Sequence, residues 1–296
     1  MDHSHIRALI KEKSFADQGS IIEFVIQLLY QNMIDPKSND YLPKLVPKIS
    51  DPSLAPYSTP GPWNLTNLSG SDMAASADQI CIQATPPQYS PAVGMHAAMP
   101  NIALTKIVIT GLTNVQPEKP VVTDPNSDAP KVSVALDFCT ITGDPTNPPQ
   151  ISITGNFHIV QNCCVPTRGA SSCAPGNPTY DTSGDGTFTA TLARTGPATQ
   201  LQMINHAIVT VAEDGSFLVT IDTVQPNIST DALTVAVLID SGSPHREVWE
   251  KLAEEALNND SGKHQIIAAF AAQLTDASTL GSISAMITQQ INNMLG

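Results

Sequence analysis

The chain has 296 residues and a formal net charge of -13, with 14 basic side chains against 27 acidic ones. Because a protein that holds a phosphate backbone needs clustered Lys and Arg, this balance argues against nucleic acid as a partner. No apolar run reaches the roughly 20 residues that cross a bilayer, so we expect no transmembrane segment. The length allows most apolar surface to be buried, and we expect one domain over residues 1–296.

The first residues carry no signal-peptide pattern, because a positive start, an apolar stretch and a small-residue cleavage site are all missing. The expected location is therefore the cytoplasm or release without a classical signal, unless the chain is already trimmed. The sequence leaves these alternatives open.

The first predicted element is a helix over residues 18–34. Ser20 followed by Glu23 forms a capping box, and Asp35-Pro36 ends the helix because the residue before proline disfavours helical geometry. The width of its apolar face predicts a helix set deeply into a core. The face consists of Ile22, Val25, Ile26, Leu29 and Met33, widened by Ile21, Phe24 and Leu28.

Residues 36–101 form a proline-rich segment that we expect to be irregular. Only Gln79 to Ala84 has the pattern of a short strand. Tyr57, Trp63 and Leu65 are apolar anchors, so the segment is interpreted as an ordered cover or a functional loop rather than a linker.

Residues 102–240 are predicted to form an antiparallel sheet. The stretch "IALTKIVITGLTNV", from Ile102, reads as a strand that breaks at Gly111-Leu112. The alternating stretches "KVSVALDFCTI" and "QISITGNFHIV" are joined by a proline-rich turn, which favours an antiparallel pair. "GTFTATLART" and "ALTVAVLID" add strands. "LQMINHAIVTVAEDGSFLVTIDTV" is typical of a hairpin that turns at Asp214-Gly215.

Residues 243–296 are predicted to be helical in three segments. Ser243 is the expected N-cap and Pro244 the first helical residue. "NNDSG" then interrupts the helical spacing, which resumes in "HQIIAAFAAQL" and "GSISAMITQQINNML". Strands followed by helices with wide apolar faces indicate an α+β fold.

The sequence carries none of the GxSxG, HExxH, GxxxxGK[ST] or GxGxxG motifs. His158 and His206 lie in predicted strands, where a structural or surface histidine is the simpler interpretation. We therefore expect no enzyme activity and no cofactor.

The stretch "DTSGDG", Asp181 to Gly186, resembles the first half of a calcium loop. The twelfth position, where a bidentate glutamate belongs, is Leu192. We therefore predict a turn leading into a strand, and no metal site at Asp181, Ser183 and Asp185.

Five cysteines allow two interpretations. They are free thiols, or a short disulfide joins Cys173 to Cys163 or Cys164 in an oxidising compartment. In both cases Cys139, within a regular strand, is expected to stay reduced.

The order of helix, strand ending in Thr110-Gly111-Leu112, further antiparallel strands and terminal helix resembles one wing of the TULIP superfamily. This group includes bactericidal/permeability-increasing-like proteins, mite group 7 allergens and OrfX-type lipid-binding proteins. The resemblance covers about residues 18–34 and 102–296. It implies a long curved antiparallel β-sheet wrapped around N- and C-terminal helices, with an apolar cavity between them.

The functional hypothesis is non-enzymatic binding of an apolar ligand, a lipid or fatty acid, between sheet and helices. The alternative is a β-rich interaction or toxin-complex accessory protein with a solid core and a protein partner. The candidate lining residues are Phe24, Leu28, Phe138, Ile153, Phe157, Met203, Phe217, Ile267, Phe270, Met286 and Ile287.

Overall fold

The computed structural model describes residues 15–49, 57–68, 79–81, 96–97, 100–124, 129–139, 150–165, 174–177, 179–194, 201–212, 214–242 and 245–295. The helices are α1 (Phe15–Ile34), α2 (Leu42–Ile49), α3 (Arg246–Asn258), α4 (Asp260–Leu274) and α5 (Ala277–Leu295). The first six strands are β1 (Tyr57–Thr59), β2 (Trp63–Leu65), β3 (His96–Ala97), β4 (Asn101–Thr110), β5 (Val115–Pro117) and β6 (Val121–Thr123). The others are β7 (Lys131–Phe138), β8 (Gln150–Cys164), β9 (Thr179–Ala193), β10 (Leu201–Val211), β11 (Phe217–Ile228) and β12 (Leu233–Ile239).

The strands form two antiparallel sheets. Sheet A has the order β1-β4-β8-β9-β12, with β2 also paired to β4 and β3 to β8. Sheet B has the order β11-β10-β7-β5, with β6 also paired to β7. The predicted α+β class, an antiparallel β-rich fold with helices at the termini, is confirmed.

The predicted pairing of the two strands on either side of the proline-rich turn is wrong. β7 pairs with β10 in sheet B, whereas β8 pairs with β4 and β9 in sheet A. Turn-forming residues predict a chain reversal, but a reversal does not require that the two strands share a sheet. The β10–β11 hairpin is confirmed, and Gly215 has a φ of +80° in its turn.

Each sheet is covered by different helices. α3 and α4 pack on sheet A, where Leu252 and Phe270 join Phe157 in the larger hydrophobic cluster. α1 packs on sheet B, where Val25 and Ile291 of α5 join the smaller cluster with Val209. The three terminal helical segments are confirmed, and α3 begins at Arg246. Ser243 and Pro244 lie outside the described residues.

Helix α1 differs from its predicted start and width. It begins at Phe15, so Ser20 lies inside the helix and does not cap it. Its buried face contains Ile22, Val25 and Ile26, whereas Phe24 is 51% exposed. The predicted face is too wide because a run of adjacent apolar residues spreads around a helix, and only part of that circumference meets the sheet.

The proline-rich segment holds more regular structure than predicted. It contains α2 and the strands β1 and β2, which extend sheet A through β4. The strand expected at Gln79 to Ala84 is wrong in its described part, because residues 79–81 are helical. Trp63 and Leu65 are buried as predicted, and their strand is too short to give a clear alternating pattern.

The break predicted at Gly111 is confirmed, since β4 ends at Thr110. Gly111 has a φ of +86°, a conformation that L side chains rarely adopt. A Cβ atom here would also stand 2.1 Å from the carbonyl oxygen of Gln150. Both conditions require glycine where the chain leaves sheet A for sheet B.

Two glycine–phenylalanine pairs lie across β8 and β9. Gly155 is opposite Phe188, and Phe157 is opposite Gly186. A Cβ on Gly155 would stand 2.9 Å from a ring carbon of Phe188, and one on Gly186 would stand 2.8 Å from the Phe157 ring. Each ring therefore fills the space that the opposite glycine leaves.

Cys81 forms a disulfide with Cys163, with their Cα atoms 5.7 Å apart. Cys164 is disulfide-bonded as well, and Cys139 is a buried free thiol, as predicted. The free-thiol interpretation and the Cys163–Cys173 pairing are therefore wrong. The sequence favours the short loop, but the fold brings Cys81 beside β8 from 82 residues away. Cys173 lies outside the described residues, so its pairing with Cys164 stays a prediction.

One edge strand of each sheet is bonded by a helix side chain. On β12, the Asn258 side chain accepts from Val235 N at 2.9 Å and donates to Val235 O at 2.7 Å. On β11, Asn292 makes the same pair of bonds with Phe217, both at 2.9 Å. An edge strand presents unpaired backbone groups, and these amides satisfy them.

Candidate functional site

An apolar cavity of about 470 Å³ lies between sheet B and the helices α1 and α5. This volume falls within the range of about 300 to 1,000 Å³ that small-molecule sites occupy. The cavity is the candidate functional site.

The sheet wall of the cavity results from strand alternation. Successive side chains of a strand point to opposite faces, so every second residue of β7 and β10 faces the helices. Ten residues of β7, β10 and β11 form this wall: Val132, Val134, Leu136, Phe138, Met203, Asn205, Ala207, Val209, Val219 and Ile221.

The helix wall results from helical spacing on two elements. One face of α1 and one face of α5 point toward sheet B and supply four residues each. These are Ile26, Leu29, Tyr30, Met33, Ser282, Ile283, Met286 and Ile287. The remaining lining residues are Leu42, Ser58, Leu112, Val115, Pro117, Pro120, Leu274 and Asp276.

Polar side chains are few in the cavity wall. Ser58, Asp276 and Ser282 are exposed and therefore mark its solvent side. Asn205 lies in the middle of the sheet wall and is half-buried. Among the described lining residues, Asp276 is the one acidic side chain and none is basic. An apolar guest with an uncharged polar group matches this lining.

Four of the eleven predicted lining residues meet at this cavity: Phe138, Met203, Met286 and Ile287. Their role in binding a ligand stays a prediction. Ile153, Phe157, Ile267 and Phe270 lie in or against the larger cluster under sheet A, away from the cavity. Phe217 is 1% exposed and packs in the smaller cluster beside α1 and α5.

The two α1 candidates lie off the cavity. Phe24 is 51% exposed, and Leu28 is half-buried and does not line the cavity. The lining residues of α1 are instead Ile26, Leu29, Tyr30 and Met33, which share a helical stripe in the sequence. The sequence shows which residues of α1 form the apolar stripe. Which of them pack in the core and which line the cavity depends on the position of α5.

Asn205 is not among the residues predicted from the sequence. It is the one polar residue among Met203, Ala207 and Val209 on the same strand face. The period-2 pattern of β10 could have revealed it, because an amide at an inward position interrupts an otherwise apolar row.

The stretch predicted as a turn at Asp181 to Gly186 belongs to the strand β9, so that prediction is wrong. Asp181 accepts a hydrogen bond from Asn162 Nδ2 at 2.7 Å, and Asp185 lies 2.8 Å from His158 Nδ1. These exposed pairs cross from β8 to β9 on the outer face of sheet A. Within the described ranges, no group of three or more His, Cys, Asp or Glu is arranged to hold a metal ion.

No helix in the described part of the chain combines the length and apolar character needed to cross a membrane.

No protein-family model matches the sequence, and no curated protein matches it. Among solved structures, the chain is similar to Takeout 1 of Epiphyas postvittana at 11% sequence identity and a TM-score of 0.30. The alignment covers 76% of this chain and 93% of that one. A likeness at this level carries no argument about function, so a functional assignment has to rest on the cavity itself.

Proposed function

We propose that this protein binds a lipid-like apolar ligand in the cavity between sheet B and helices α1 and α5, without catalysing a reaction. The single observation that carries the proposal is the apolar space of about 470 Å³ between sheet B and the helices α1 and α5. Small-molecule sites are clefts of this size with a mostly apolar lining, and this space matches them in both respects.

We also propose that the chain is one wing of the TULIP type. This assignment is supported by the order of helix, antiparallel strands and terminal helices, and by the glycine turn at Gly111. The alternative hypothesis, an interaction or toxin-complex accessory protein, has no specific support among the described residues.

The first experiment asks whether the protein carries a ligand when it is purified without detergent. Organic extraction followed by mass spectrometry should recover a lipid in stoichiometric amount. Adding 1-dodecanol to native protein that has been freed of its lipid should then raise the melting temperature, because a ligand that binds only the native state stabilises it.

The second experiment locates the ligand with two matched alanine substitutions on sheet B. Ala207 lines the cavity, whereas Ala135 is at an odd-numbered position of β7, on the face opposite to the lining residues Val134 and Leu136. Ala207→Phe should abolish the dodecanol-induced rise in melting temperature, and Ala135→Phe should retain it. Recovery of no lipid together with no response of wild-type protein to dodecanol would end the proposal.

A further inference from the structure

Asn205 places an amide in the middle of the sheet wall of a mostly apolar space. Its strand neighbours on the same face, Met203 and Ala207, are apolar, and its cross-strand partners are Val134 and Val224. A half-buried amide among apolar groups costs free energy unless its hydrogen bonds are made.

The hydrogen bonds that Asn205 makes within the protein are weak. Its Nδ2 atom lies 3.5 Å from the carbonyl oxygens of both Val134 and Met203. The usual N–H···O distance is about 2.7 to 3.2 Å, so both contacts are at the outer limit. Asn205 Oδ1 accepts no hydrogen bond from any described residue.

The orientation of the amide is set by these two carbonyls. If the side chain were flipped, its oxygen would face two other oxygens, which would repel it. The nitrogen therefore faces the strand backbone, and Oδ1 is left as an acceptor without a protein donor in the described structure.

The strand beside Asn205 is locally irregular. His206 is opposite Thr223 and Ala207 is opposite Ile221, so the extra residue is Asp222 of β11, while β10 stays in regular register with β7. Bulges of this kind are frequent next to functional sites, and this one redirects side chains of β11 beside Asn205.

We propose that Asn205 is a specificity-determining residue that accepts a hydrogen bond from a hydroxyl group of the ligand. The ligand is then an uncharged hydroxyl-bearing lipid, such as a long-chain alcohol. An ionised fatty acid has no proton to donate to Oδ1, and no described lining residue is basic, so burying its carboxylate here is less favourable than burying a hydroxyl. This inference rests on the proposed function, because it names the ligand class of the same cavity.

The test compares three probes of equal chain length: 1-dodecanol, its methyl ether and dodecanoate. Binding is measured by displacement of an apolar fluorescent dye at neutral pH. Wild-type protein should bind dodecanol at least about 5-fold more tightly than the methyl ether, which corresponds to the net value of one hydrogen bond. Dodecanoate should bind more weakly than dodecanol.

Asn205→Leu should remove this preference, because leucine has a similar size and no acceptor. His206→Leu, the neighbouring residue on the opposite face of β10 and outside the cavity lining, is the matched control, and it should keep the preference. Apo Asn205→Leu should melt at or above the wild-type temperature, since the variant removes a poorly bonded amide. A folded Asn205→Leu protein that still prefers the alcohol over the ether would overturn the inference.

The outcomes separate the two proposals. Equal binding of alcohol and ether by wild-type protein overturns the role of Asn205 and leaves the cavity as a lipid site. Failure of all three probes to displace the dye overturns both.

Discussion

The edge strands β12 and β11 are each hydrogen-bonded by an asparagine from a covering helix. The two helices differ in how many apolar side chains they bury. Helix α3 bonds to β12 through Asn258, and helix α5 bonds to β11 through Asn292. Behind α3, Leu252 and Leu257 are fully buried in the larger cluster. Of the described side chains of α5, only Ile291 is fully buried.

The comparison shows that polar pairing with a strand edge can hold a helix over incompletely filled space. Helix α5 adds Thr288 and Ser284, which accept from Val219 N at 2.9 Å and Ile221 N at 3.0 Å. With Asn292 these residues recur every four positions, so one helical face runs along every second residue of β11. Helix α3 is held mainly by apolar burial, and α5 mainly by this row of hydrogen bonds.

The largest expected effect comes from replacing one large apolar side chain by alanine on the inward face of α3, and another on the inward face of α5. Leu252→Ala, behind α3, should lower the free energy of unfolding by about 3 kcal/mol, because it leaves a hole in a filled core. Ile287→Ala, on the cavity face of α5, should cost about 1 kcal/mol, since it enlarges a space that already exists. Urea denaturation of both variants measures the difference. Equal losses would show that the two halves are packed alike.

The next effect compares the loss of Asn258 with the loss of Asn292. Asn258→Ala and Asn292→Ala each remove two hydrogen bonds to an edge strand, and each should cost about 1 to 2 kcal/mol. In Asn292→Ala, amide hydrogen exchange should accelerate along α5, because this helix has fewer fully buried side chains than α3 to hold it. In Asn258→Ala, α3 should stay protected by its buried face.

Gln289→Ala is the control for this pair, because Gln289 lies on the exposed side of α5. It should change neither stability nor exchange appreciably. Uniform loss of protection over the whole chain in Asn292→Ala would contradict an independent role for α5.

A smaller effect concerns the junction between the two sheets. Cys139 comes directly after β7, and its thiol lies 3.7 Å from the carbonyl oxygen of Leu192 on β9. Burial raises the pKa of this thiol from 9.0 to about 11. Because the unfolded thiol ionises first, stability should decline between about pH 9 and about pH 11, by about 1 to 2 kcal/mol from this group.

Cys139→Ala isolates the contribution of the thiol. The variant should lose less stability than wild type over this range in urea denaturation, because other groups titrate equally in both proteins. Parallel curves for the two proteins would show that water reaches the junction.

The smallest expected effect concerns Glu250 of α3, whose carboxylate accepts a hydrogen bond from the backbone of β12. Hydrogen bonds from Arg246 and from the backbone N–H of Ile239 lower the pKa of Glu250. Because the pKa of Glu250 is lower in the folded than in the unfolded state, its ionised carboxylate stabilises the fold at pH values above the ordinary pKa of glutamate. This contribution is lost as the pH falls through the lowered pKa.

Glu250→Gln keeps an oxygen acceptor for Ile239 and removes only the charge. Its melting temperature should be slightly below that of wild type at pH 7, and the two should converge in acid. Glu254→Gln, on the exposed face of α3, should match wild type at both pH values.

The strands and their burial could largely be predicted from the sequence, because local alternation encodes them. Val132 and Phe138, and Ile151 and Ile153, face inward in β7 and β8 as expected. The division into two sheets could not be predicted, since it depends on which distant strands pair. The same limit applies to Cys81 and Cys163, which the fold brings together.

The site could be predicted only in outline. Helical and strand stripes indicate which residues face inward, but filled core and open cavity have the same apolar pattern. Met203 and Met286 line the space, whereas Phe157 and Phe270 are buried in the core beneath sheet A. The difference arises from how closely the covering helices approach each sheet, which depends on side chains from several separate segments.

The reciprocal glycine–phenylalanine pairs across β8 and β9 constrain how this sequence can vary. A methyl group at Gly155 or Gly186 would collide with the backbone as well as with the opposite ring, at 2.6 Å from Thr105 O and 2.3 Å from Leu238 O. Replacing Phe157 or Phe188 by a small residue would instead leave the opposite glycine uncovered in the core. Because the backbone excludes a Cβ at both glycines whatever stands opposite, the glycines are fixed, and the two rings are held by the space that the glycines leave. All four positions should therefore tolerate few substitutions, singly or in pairs.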